Sequence, residues 1–266
     1  MALKQREDES RKGDNGKVLV VAGSKEYTGS AFLCAMAAAS LRSGTDLVTV
    51  AAPEKVAWAI NAMSPDVITA KMKGDYLKLS HHNAIRKLSS KCDVVVIGPG
   101  IGKRKETKQL VAKLMKIKMP KVIDADALKM IKIQDCNECI LTPHKKEFEI
   151  LLKNSKLSEK KKNNFLKKIG NNVILLKGSV DEIYSGRKAV YASGGNSGMT
   201  VGGTGDVLAG LCAGFIAQGN NLDDSAYAAS KINKKVGDDL KKRIGNGFIA
   251  SDFLAEIAVE AEKMRK

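Results

Sequence analysis

Short runs of β-branched and other apolar residues alternate with longer helical patterns along most of this chain. Residues 17–23 (KVLVVAG) predict a strand, residues 28–44 an Ala-rich buried helix ending at Gly44, and residues 46–53 (DLVTVAAP) a second strand. Continuous apolar strands separated by helices are typical of a parallel sheet that is covered on both faces. The alternation therefore restricts the chain to an α/β fold.

The same pattern continues through the rest of the chain. Further strands are predicted within 92–102, 121–128, 138–144 and 172–178, with a helix over 107–117 and another after the 121–128 strand. Residues 182–193 (EIYSGRKAVYAS) predict a hairpin around Ser185 and Gly186, which would form an antiparallel edge. From Asp206 onward the chain is predicted to be helical over 206–219, 223–243 and 251–264, with Ser251 as the last N-cap.

Length and composition favour a single domain outside the membrane. The 266 residues, of which 44% are hydrophobic, can bury a substantial core, so we predict one domain over 1–266 with a flexible segment 1–15. No apolar run reaches about 18 residues, and the N-terminal segment is charged, which argues against a membrane span or a signal peptide. The expected location is the cytoplasm.

The strongly basic charge raises the question of a nucleic-acid partner. The net charge is +16 and the pI about 9.6. The lysines, however, are spread in short clusters among Glu and Leu on expected helix faces, and aromatic residues make up only 5% of the chain. That aromatic content is too low for base-stacking platforms. A lysine-rich solvated surface is the expected explanation, and no nucleic-acid partner is predicted.

Five cysteines are scattered along the chain, as is common in proteins of a reducing compartment. Cys34, Cys92 and Cys212 lie in apolar stretches and are expected to be packed. Cys136 and Cys139 form a CxxC pair, but tetrahedral zinc needs four ligands and no second CxxC or HxxxH accompanies the pair. We interpret this segment as a turn leading into a strand.

Several glycine-rich or polar loops are expected to meet at one edge of the sheet. Loops at the carboxyl ends of parallel strands converge on a crevice where ligands bind. Four predicted strands end in such loops, with the sequences GPGIG (98–102), DADAL (124–128), TPH (142–144) and KGSVD (177–181). Gly202, Gly203 and Gly205 also precede a helix, whose N-terminus would form a cradle for phosphate.

Asp206 stands at the first turn of that helix, and the residues alone leave two roles open. The carboxylate is a favourable partner for the helix dipole, worth about 0.3 to 1 kcal/mol. A transferred phosphoryl group would also sit at this helix end, so Asp206 could accept the proton of an attacking hydroxyl. The cradle lacks the Lys-Ser/Thr ending of a Walker A loop, and GPGIG does not match GxGxxG.

The chain resembles the ADP/ATP-dependent NAD(P)H-hydrate dehydratases of the ribokinase-like superfamily. The resemblance runs from about residue 15 to 260 through GSKEYTGSA, GPGIG, DADAL, LTPHKKEF, LLKG and NSGMTVGGTGDVLAG. It implies a three-layer αβα ribokinase-like fold with a mostly parallel sheet. It also implies dehydration of the S-epimer of hydrated NADH or NADPH, with ADP or ATP as co-substrate together with Mg²⁺.

The resemblance implies roles for individual residues. Asp206 would activate the ring hydroxyl as the catalytic base. The nucleotide-binding set would comprise Lys177, Gly178, Ser179, Val180, Asp181, Gly203, Thr204 and Gly205. The substrate-binding set would comprise Ser30, Gly100, Gly102, His144, Asn196 and Asp206.

Three of these assignments have a plainer alternative in the residues themselves. Lys177 also fits the pattern of a solvated residue at the end of a strand. His144 also fits the pattern of a histidine that only forms structural hydrogen bonds. Glu147 loosely matches an acidic position that orders Mg²⁺ through water, but it could simply support a helix start. His81 and His82 match nothing in the family pattern and are interpreted as surface residues.

The family also carries expectations about partners. A homo-oligomer, in the family pattern a tetramer, is expected. A functionally linked NAD(P)H-hydrate epimerase is expected as well, since only some sixteen residues precede the first predicted strand. Two other function classes fit parts of the sequence. A small-alcohol kinase of the same fold, similar to hydroxyethylthiazole kinase, would use the same cradle and Asp206, and a basic nucleic-acid-binding or scaffold protein would use the lysines.

Overall fold

A sheet of nine strands runs through the part of the chain that the structure describes. The structure is a computed structural model that describes residues 3–38, 42–158, 162–186 and 188–265. The strands are β1 (Lys17–Val21), β2 (Leu47–Pro53), β3 (Ile68–Met72), β4 (Val94–Ile97), β5 (Lys121–Ile123), β6 (Cys139–Leu141), β7 (Val173–Leu176), β8 (Asp181–Ser185) and β9 (Ala189–Ala192). Their order is β3-β2-β1-β4-β5-β6-β7-β8-β9. All pairs up to β7 are parallel, and β7, β8 and β9 pair antiparallel. The predicted mostly parallel sheet with a hairpin edge is confirmed.

Helices cover both faces of this sheet. They are α1 (Thr28–Ala38), α2 (Glu54–Met63), α3 (His82–Ser89), α4 (Lys105–Leu114), α5 (Lys145–Ser155), α6 (Lys162–Ile169), α7 (Thr204–Ala217), α8 (Leu222–Ile244) and α9 (Ala250–Lys263). Alternate residues of β1 enter two cores, Val18 and Val20 on the face of α1, α2, α7, α8 and α9, and Leu19 and Val21 on the opposite face. Burial on both faces explains why the strands read as unbroken apolar runs.

Small residues allow α1 and α7 to approach each other closely. A Cβ on Gly210 of α7 would lie 2.2 Å from the carbonyl oxygen of Cys34 in α1. A Cβ on Gly214 would lie 2.0 Å from the Ser43 hydroxyl. Only glycine fits at these two contacts, so the Ala- and Gly-rich composition of both helices has a packing cause. The contact fixes α7, and with it the loop before α7, against the sheet.

The apolar pattern that predicts strands and helices is weak between residues 54 and 89. No elements were predicted there, yet it forms α2, β3 and α3. Strand β3 lies at the sheet edge, and its Ile68 is 52% exposed, so it lacks the apolar run of the inner strands. His81, interpreted as a surface residue, is buried; its Nδ1 accepts from the Lys78 N–H at 3.2 Å, and its Nε2 lies 3.2 Å from the Lys73 carbonyl oxygen.

Two predicted helix features differ in the structure. Ser251 is not the N-cap of the last helix, because α9 begins at Ala250 and Ile249 is the cap residue. Asp252, at the third position of the helix, accepts a hydrogen bond through Oδ2 from the Ile249 N–H at 2.8 Å. This bond pairs a backbone N–H at the helix start. The helix predicted after β5 is a single 3₁₀ segment, Ala125–Lys129.

Some predictions fall partly outside the described residues. These include positions 39–41 of the predicted 28–44 helix and Arg187 of the hairpin. The single-domain boundary and the flexibility of residues 1–15 stay predictions; within that segment, the Leu3 side chain is buried and its N–H donates to the Met264 carbonyl at 2.9 Å. Across the described ranges, no helix has both the length and the apolar character that crossing a membrane requires.

Candidate active site

The loops that follow β5, β6 and β7 meet at the carboxyl edge of the sheet, as predicted. The Lys177 N–H donates to the Pro143 carbonyl at 2.8 Å, and His144 and Lys177 form an isolated parallel bridge. Thr142 Oγ1 donates to Asp124 Oδ1 at 2.7 Å. The three strand ends are therefore joined by direct hydrogen bonds, which build one crevice wall.

Lys177 and Asp124 form a buried ion pair at the centre of this wall. Lys177 Nζ lies 3.1 Å from Asp124 Oδ1, and the aspartate side chain is 2% exposed. Burial by itself would lower the pKa of Lys177, but the carboxylates of Asp124 and Glu147 raise it above its ordinary value. The ammonium group thus stays charged inside the site. Lys177 is therefore not a fully solvated strand end, because its side chain is 21% exposed and paired with Asp124, a residue to which the sequence analysis gave no role.

Gly203 and Gly205 bring the start of α7 up to this ammonium group. Gly203 is the helix N-cap with φ +99°, and a Cβ there would lie 2.5 Å from Leu33 Cδ1. A Cβ on Gly205 would lie 3.2 Å from Lys177 Nζ. The first N–H groups of a helix have no intrahelical partner, so they and the ammonium together favour an anion at this point.

The pKa of Asp206, in the first turn of α7, is poised near neutrality. Burial raises it to about 7, with a further contribution from the negative charge of Asp124, while a hydrogen bond from Ser30 and the charge of Lys177 act in the opposite direction. A carboxylate that served only the helix dipole would have a lowered pKa. A carboxyl group that exchanges its proton near neutral pH is suited to general-base chemistry.

Ser30, which bonds to Asp206, lies in the first turn of α1, and this turn packs against the GPGIG loop. Gly100 has φ +60°, and a Cβ on it would lie 2.6 Å from Tyr27 Cβ and 3.0 Å from Ser30 Cβ. A Cβ on Gly102, in contrast, would meet no described atom within 4 Å. Gly100 therefore has a packing reason to lack a side chain, whereas Gly102 lies in open space.

A cleft of about 690 Å³ opens beside the ion pair. Its lining includes most of the predicted nucleotide-binding residues, namely Lys177, Gly178, Ser179, Asp181, Thr204 and Gly205. His144 and Asn196, predicted to bind the other substrate, line the same cleft. Val180, which was also predicted to bind the nucleotide, is 44% exposed. The division of the crevice between nucleotide and substrate stays a prediction.

Two of these predicted binding residues have side chains that hold the cleft loops in place. The Asp181 carboxylate accepts from the Gly178 N–H at 2.9 Å and from Ser230 Oγ at 2.7 Å. The Asn196 side chain accepts from the Gly198 N–H at 3.0 Å and donates to the Gly237 carbonyl at 2.9 Å. Both side chains thus shape the lining, and any direct contact with a ligand stays a prediction.

His144 and Glu147 form a reciprocal cap at the start of α5. The His144 N–H donates to Glu147 Oε2 at 3.2 Å, and the Glu147 N–H donates to His144 Nδ1 at 3.4 Å. Lys129 Nζ lies 3.3 Å from Glu147 Oε1. Glu147 therefore supports the helix start, and a water-mediated role with Mg²⁺ stays a prediction. Half of the His144 side chain is exposed, and its Nε2 lies 3.4 Å from Glu147 Oε2.

The CxxC segment has an ordinary place in the fold. Cys136 ends the short 3₁₀ segment Ile133–Asp135, and Cys139 begins β6, so the predicted turn into a strand is confirmed. Within the described ranges, no three His, Cys, Asp or Glu side chains are grouped as metal ligands.

NAD(P)H-hydrate dehydratases are among the known proteins similar to this chain. The family profile of NAD(P)H-hydrate dehydratases matches residues 18–258. A bifunctional NAD(P)H-hydrate repair enzyme of Methanothermobacter thermautotrophicus is 37% identical over 96% of this chain, and the chain spans 51% of that protein. An ADP-dependent (S)-NAD(P)H-hydrate dehydratase of Cenarchaeum symbiosum is 36% identical, with 93% of this chain and 89% of that protein covered. The chain thus spans about half the length of the bifunctional relatives and most of the dehydratase.

Solved structures agree with the fold. A Streptococcus mutans protein, SMU.573, superposes with a TM-score of 0.85 at 26% identity, with 99% of this chain and 96% of that chain covered. An ADP/ATP-dependent NAD(P)H-hydrate dehydratase of Bacillus subtilis, co-crystallised with ATP and Mg²⁺, superposes with a TM-score of 0.82 at 23% identity, with 100% and 95% covered. A ribokinase of Thermotoga maritima gives a TM-score of 0.62 at 15% identity, with 93% and 98% covered, so the fold is ribokinase-like.

Proposed function

This chain belongs to the NAD(P)H-hydrate dehydratase family, and we propose that it returns the S-epimer of hydrated NADH or NADPH to the reduced cofactor in a nucleotide-dependent reaction. ADP is the first candidate co-substrate, because it appears in the name of a relative that the chain matches over most of both lengths. The observation that carries the proposal is a carboxyl group with a pKa of about 7 beside a cationic phosphate cradle.

The proposed reaction has two stages. Asp206 accepts the proton of the ring hydroxyl while the hydroxyl oxygen attacks the terminal phosphorus of the nucleotide, so an O–P bond forms and the bond to the shortened nucleotide breaks. Phosphate then leaves with the C–O bonding pair, and loss of a proton from the adjacent ring carbon restores the double bond. The phosphorylation is needed because phosphate is a much better leaving group than hydroxide.

The cradle supplies the electrostatic part of this reaction. The N–H groups of Gly203, Thr204 and Gly205 would donate to the transferred phosphoryl group, and the Lys177 ammonium would offset its charge. The Asp124 carboxylate holds that ammonium at 3.1 Å, so its position is set before the nucleotide arrives. Preorganised charge of this kind stabilises the transition state without a reorganisation cost.

Mg²⁺ fits this site as the companion of the nucleotide. Magnesium keeps several waters and binds through one or two carboxylates together with substrate phosphates. Glu147 would help to hold the ion through water, because its oxygens already meet His144 and Lys129. When bound with the nucleotide, the ion would neutralise phosphate charge.

Three further features belong to the proposal. The reaction consumes one epimer, so an epimerase activity is the expected functional partner. A homo-oligomer, in the family pattern a tetramer, is supported by exposed apolar side chains near α9, among them Ile249 and Val259, which are 59% and 56% exposed. Five free cysteines support a reducing compartment, the cytoplasm.

Product stoichiometry tests the function directly. Purified protein is incubated with hydrated NADH, Mg²⁺ and either ADP or ATP, and reduced nicotinamide absorbance and free phosphate are followed together. We expect one phosphate released for each reduced cofactor recovered. Accumulation of a phosphorylated substrate without recovery of absorbance would instead indicate a kinase, which could use the same cradle and Asp206.

A further inference from the structure

The CxxC motif brings two thiols together at the amino end of β6, at the sheet edge opposite the crevice. Cys139 is fully buried at the start of the strand, and Cys136 is partly exposed just before it. Between them Glu138 has φ +54°, a conformation that is uncommon for a residue other than glycine. The chain bends there, and the Cys136 thiol donates a hydrogen bond to the Cys139 sulfur. The two sulfur atoms are therefore neighbours in the folded protein.

The side chain of Asn172 holds the backbone of both cysteines. Its Oδ1 accepts from the Cys139 N–H at 3.0 Å, and its Nδ2 donates to the Cys136 carbonyl at 3.1 Å. The same Nδ2 donates to the Ile169 carbonyl at 2.8 Å, and Asn172 is 3% exposed. A buried amide whose donor and acceptor are both paired is a firm anchor. The two thiols are therefore held in place before any reaction.

A buried ammonium group lies beside this pair. Lys121 is the partner of Cys139 in the parallel register of β5 and β6, and it is 3% exposed. Its Nζ donates to the Met119 carbonyl at 2.8 Å, and within the described ranges it forms no ion pair with a carboxylate. Burial lowers the pKa of Lys121, while Cys139 and then Cys136 oppose that shift more strongly than Glu138 does. Because buried charges are normally paired, a thiolate is the counter-charge that this position offers.

The surroundings favour the thiolate form of Cys139. The hydrogen bond from Cys136 lowers the pKa of Cys139, and the Lys121 charge lowers it further against the effect of burial. In contrast, burial raises the pKa of Cys92, the other partly exposed cysteine, to about 11. Thiolates beside a lysine are the reactive form in thiol–disulfide exchange. The motif thus differs chemically from an isolated thiol of the same chain.

We propose that Cys136 and Cys139 form a reversible redox site for small disulfides of the glutathione class, with Lys121 as the cation that stabilises the Cys139 thiolate. The Cys136 sulfur attacks the small disulfide, passes its proton to Cys139 and expels one thiolate. Cys139 then gives that proton to the expelled thiolate and attacks the Cys136 sulfur, which closes the protein disulfide and expels the second thiolate. The protein loses two electrons and the small disulfide gains them. In a reducing compartment the protein disulfide is transient.

Reaction with glutathione disulfide, followed by mass spectrometry, tests the proposal. The reduced full chain is freed of reductant and exposed to glutathione disulfide, and timed samples are quenched in acid, alkylated and digested. We expect a disulfide between Cys136 and Cys139 that dithiothreitol reverses, formed faster than any mixed disulfide at the internal control Cys92. Lys121→Met should slow its formation about threefold or more, the effect of about one unit in a thiol pKa. Cys136→Ser should give no disulfide within the motif.

Three results would overturn the proposal. A wild-type protein whose motif stays reduced, or whose motif carries only mixed disulfides with glutathione, would do so without any variant. An unchanged rate in Lys121→Met would do so as well. Thermal melting checks that Lys121→Met is folded, and its stability should match or exceed that of wild type because a buried charge is removed. None of these results bears on turnover of hydrated cofactor, because the motif lies at the end of β6 remote from Thr142 and the crevice.

Discussion

The ammonium group of Lys177 lies 3.1 Å from the Asp124 carboxylate, where the ends of β5 and β7 meet the first turn of α7. One ion pair thus joins two strand ends and the phosphate cradle. The pair also acts on Asp206 in opposite directions, since Asp124 raises the pKa of Asp206 and Lys177 lowers it. Burial raises the pKa of Asp206 most, and the charges at the sheet edge adjust it further.

Removing the Lys177 charge should damage activity and stability together. In Lys177→Met, the phosphate loses its cation and the buried Asp124 carboxylate loses its ion-pair partner but keeps the hydrogen bond from Thr142, a change that costs roughly 3 kcal/mol for a broken buried pair. Turnover should fall at least about tenfold. Adding Asp124→Asn should recover part of the unfolding free energy without recovering activity. Denaturant unfolding measures the stability and steady-state assays measure the turnover, with the exposed Lys113→Met as the control. A normal turnover rate in Lys177→Met would exclude Lys177 from phosphate binding.

Gly203→Val should impair nucleotide-dependent steps, whereas the neighbouring Gly202→Val should not. A side chain at Gly203 would be strained at φ +99° and would collide with Leu33. Gly202 has an ordinary φ and open space around it, so it offers a matched control one residue away. Calorimetric titration with ADP and ATP, together with turnover, checks this. Equal behaviour of the two variants would show that the cradle does not depend on the Gly203 conformation.

His144→Ala should raise the Michaelis constant for the hydrated cofactor more than the constant for ADP or ATP. Loss of one hydrogen bond to a buried group predicts an effect of about 1 to 3 kcal/mol. The variant also loses one half of the α5 cap, so a stability loss of about 1 kcal/mol should accompany it. His82→Ala serves as the control. A rise confined to the nucleotide constant would place His144 at the nucleotide instead.

The pKa of Asp206 predicts how stability changes with pH. The carboxyl titrates at about 7 in the folded protein and at its ordinary 3.8 when unfolded. Between these values the folded state binds more protons, so its stability falls as the pH rises through this window. Asp206→Asn lacks this penalty and should be more stable than wild type at pH 8, by at most about 4 kcal/mol, but not at pH 4. Thermal melts at pH 4 and pH 8 measure the direction of this difference in stability. An Asp206→Asn variant less stable than wild type at pH 8 would contradict the prediction.

Much of the fold could be predicted because the inner strands are short apolar runs and the loops after them are rich in glycine. The edge strand β3 and the polar helix α3 have no such signal. Ser251 is predicted as a cap because serine is a preferred N-cap residue, whereas the helix begins one residue earlier and Asp252 bonds to the Ile249 N–H. The site loops could be placed by topology alone. The partner of Lys177 could not be predicted, because Asp124 is 53 residues away along the chain and only the parallel sheet brings the two residues together.

The proposed mechanism requires Asp206 as the general base. Single-turnover and steady-state rates of Asp206→Asn, with nucleotide affinity measured on the same samples, test this role. We expect kcat/KM of the wild-type protein to rise with pH through about 7, as the carboxyl loses its proton. The variant should bind ADP or ATP normally and turn over at least about a hundredfold more slowly. A variant that keeps near-normal turnover and the same pH profile would contradict the claim.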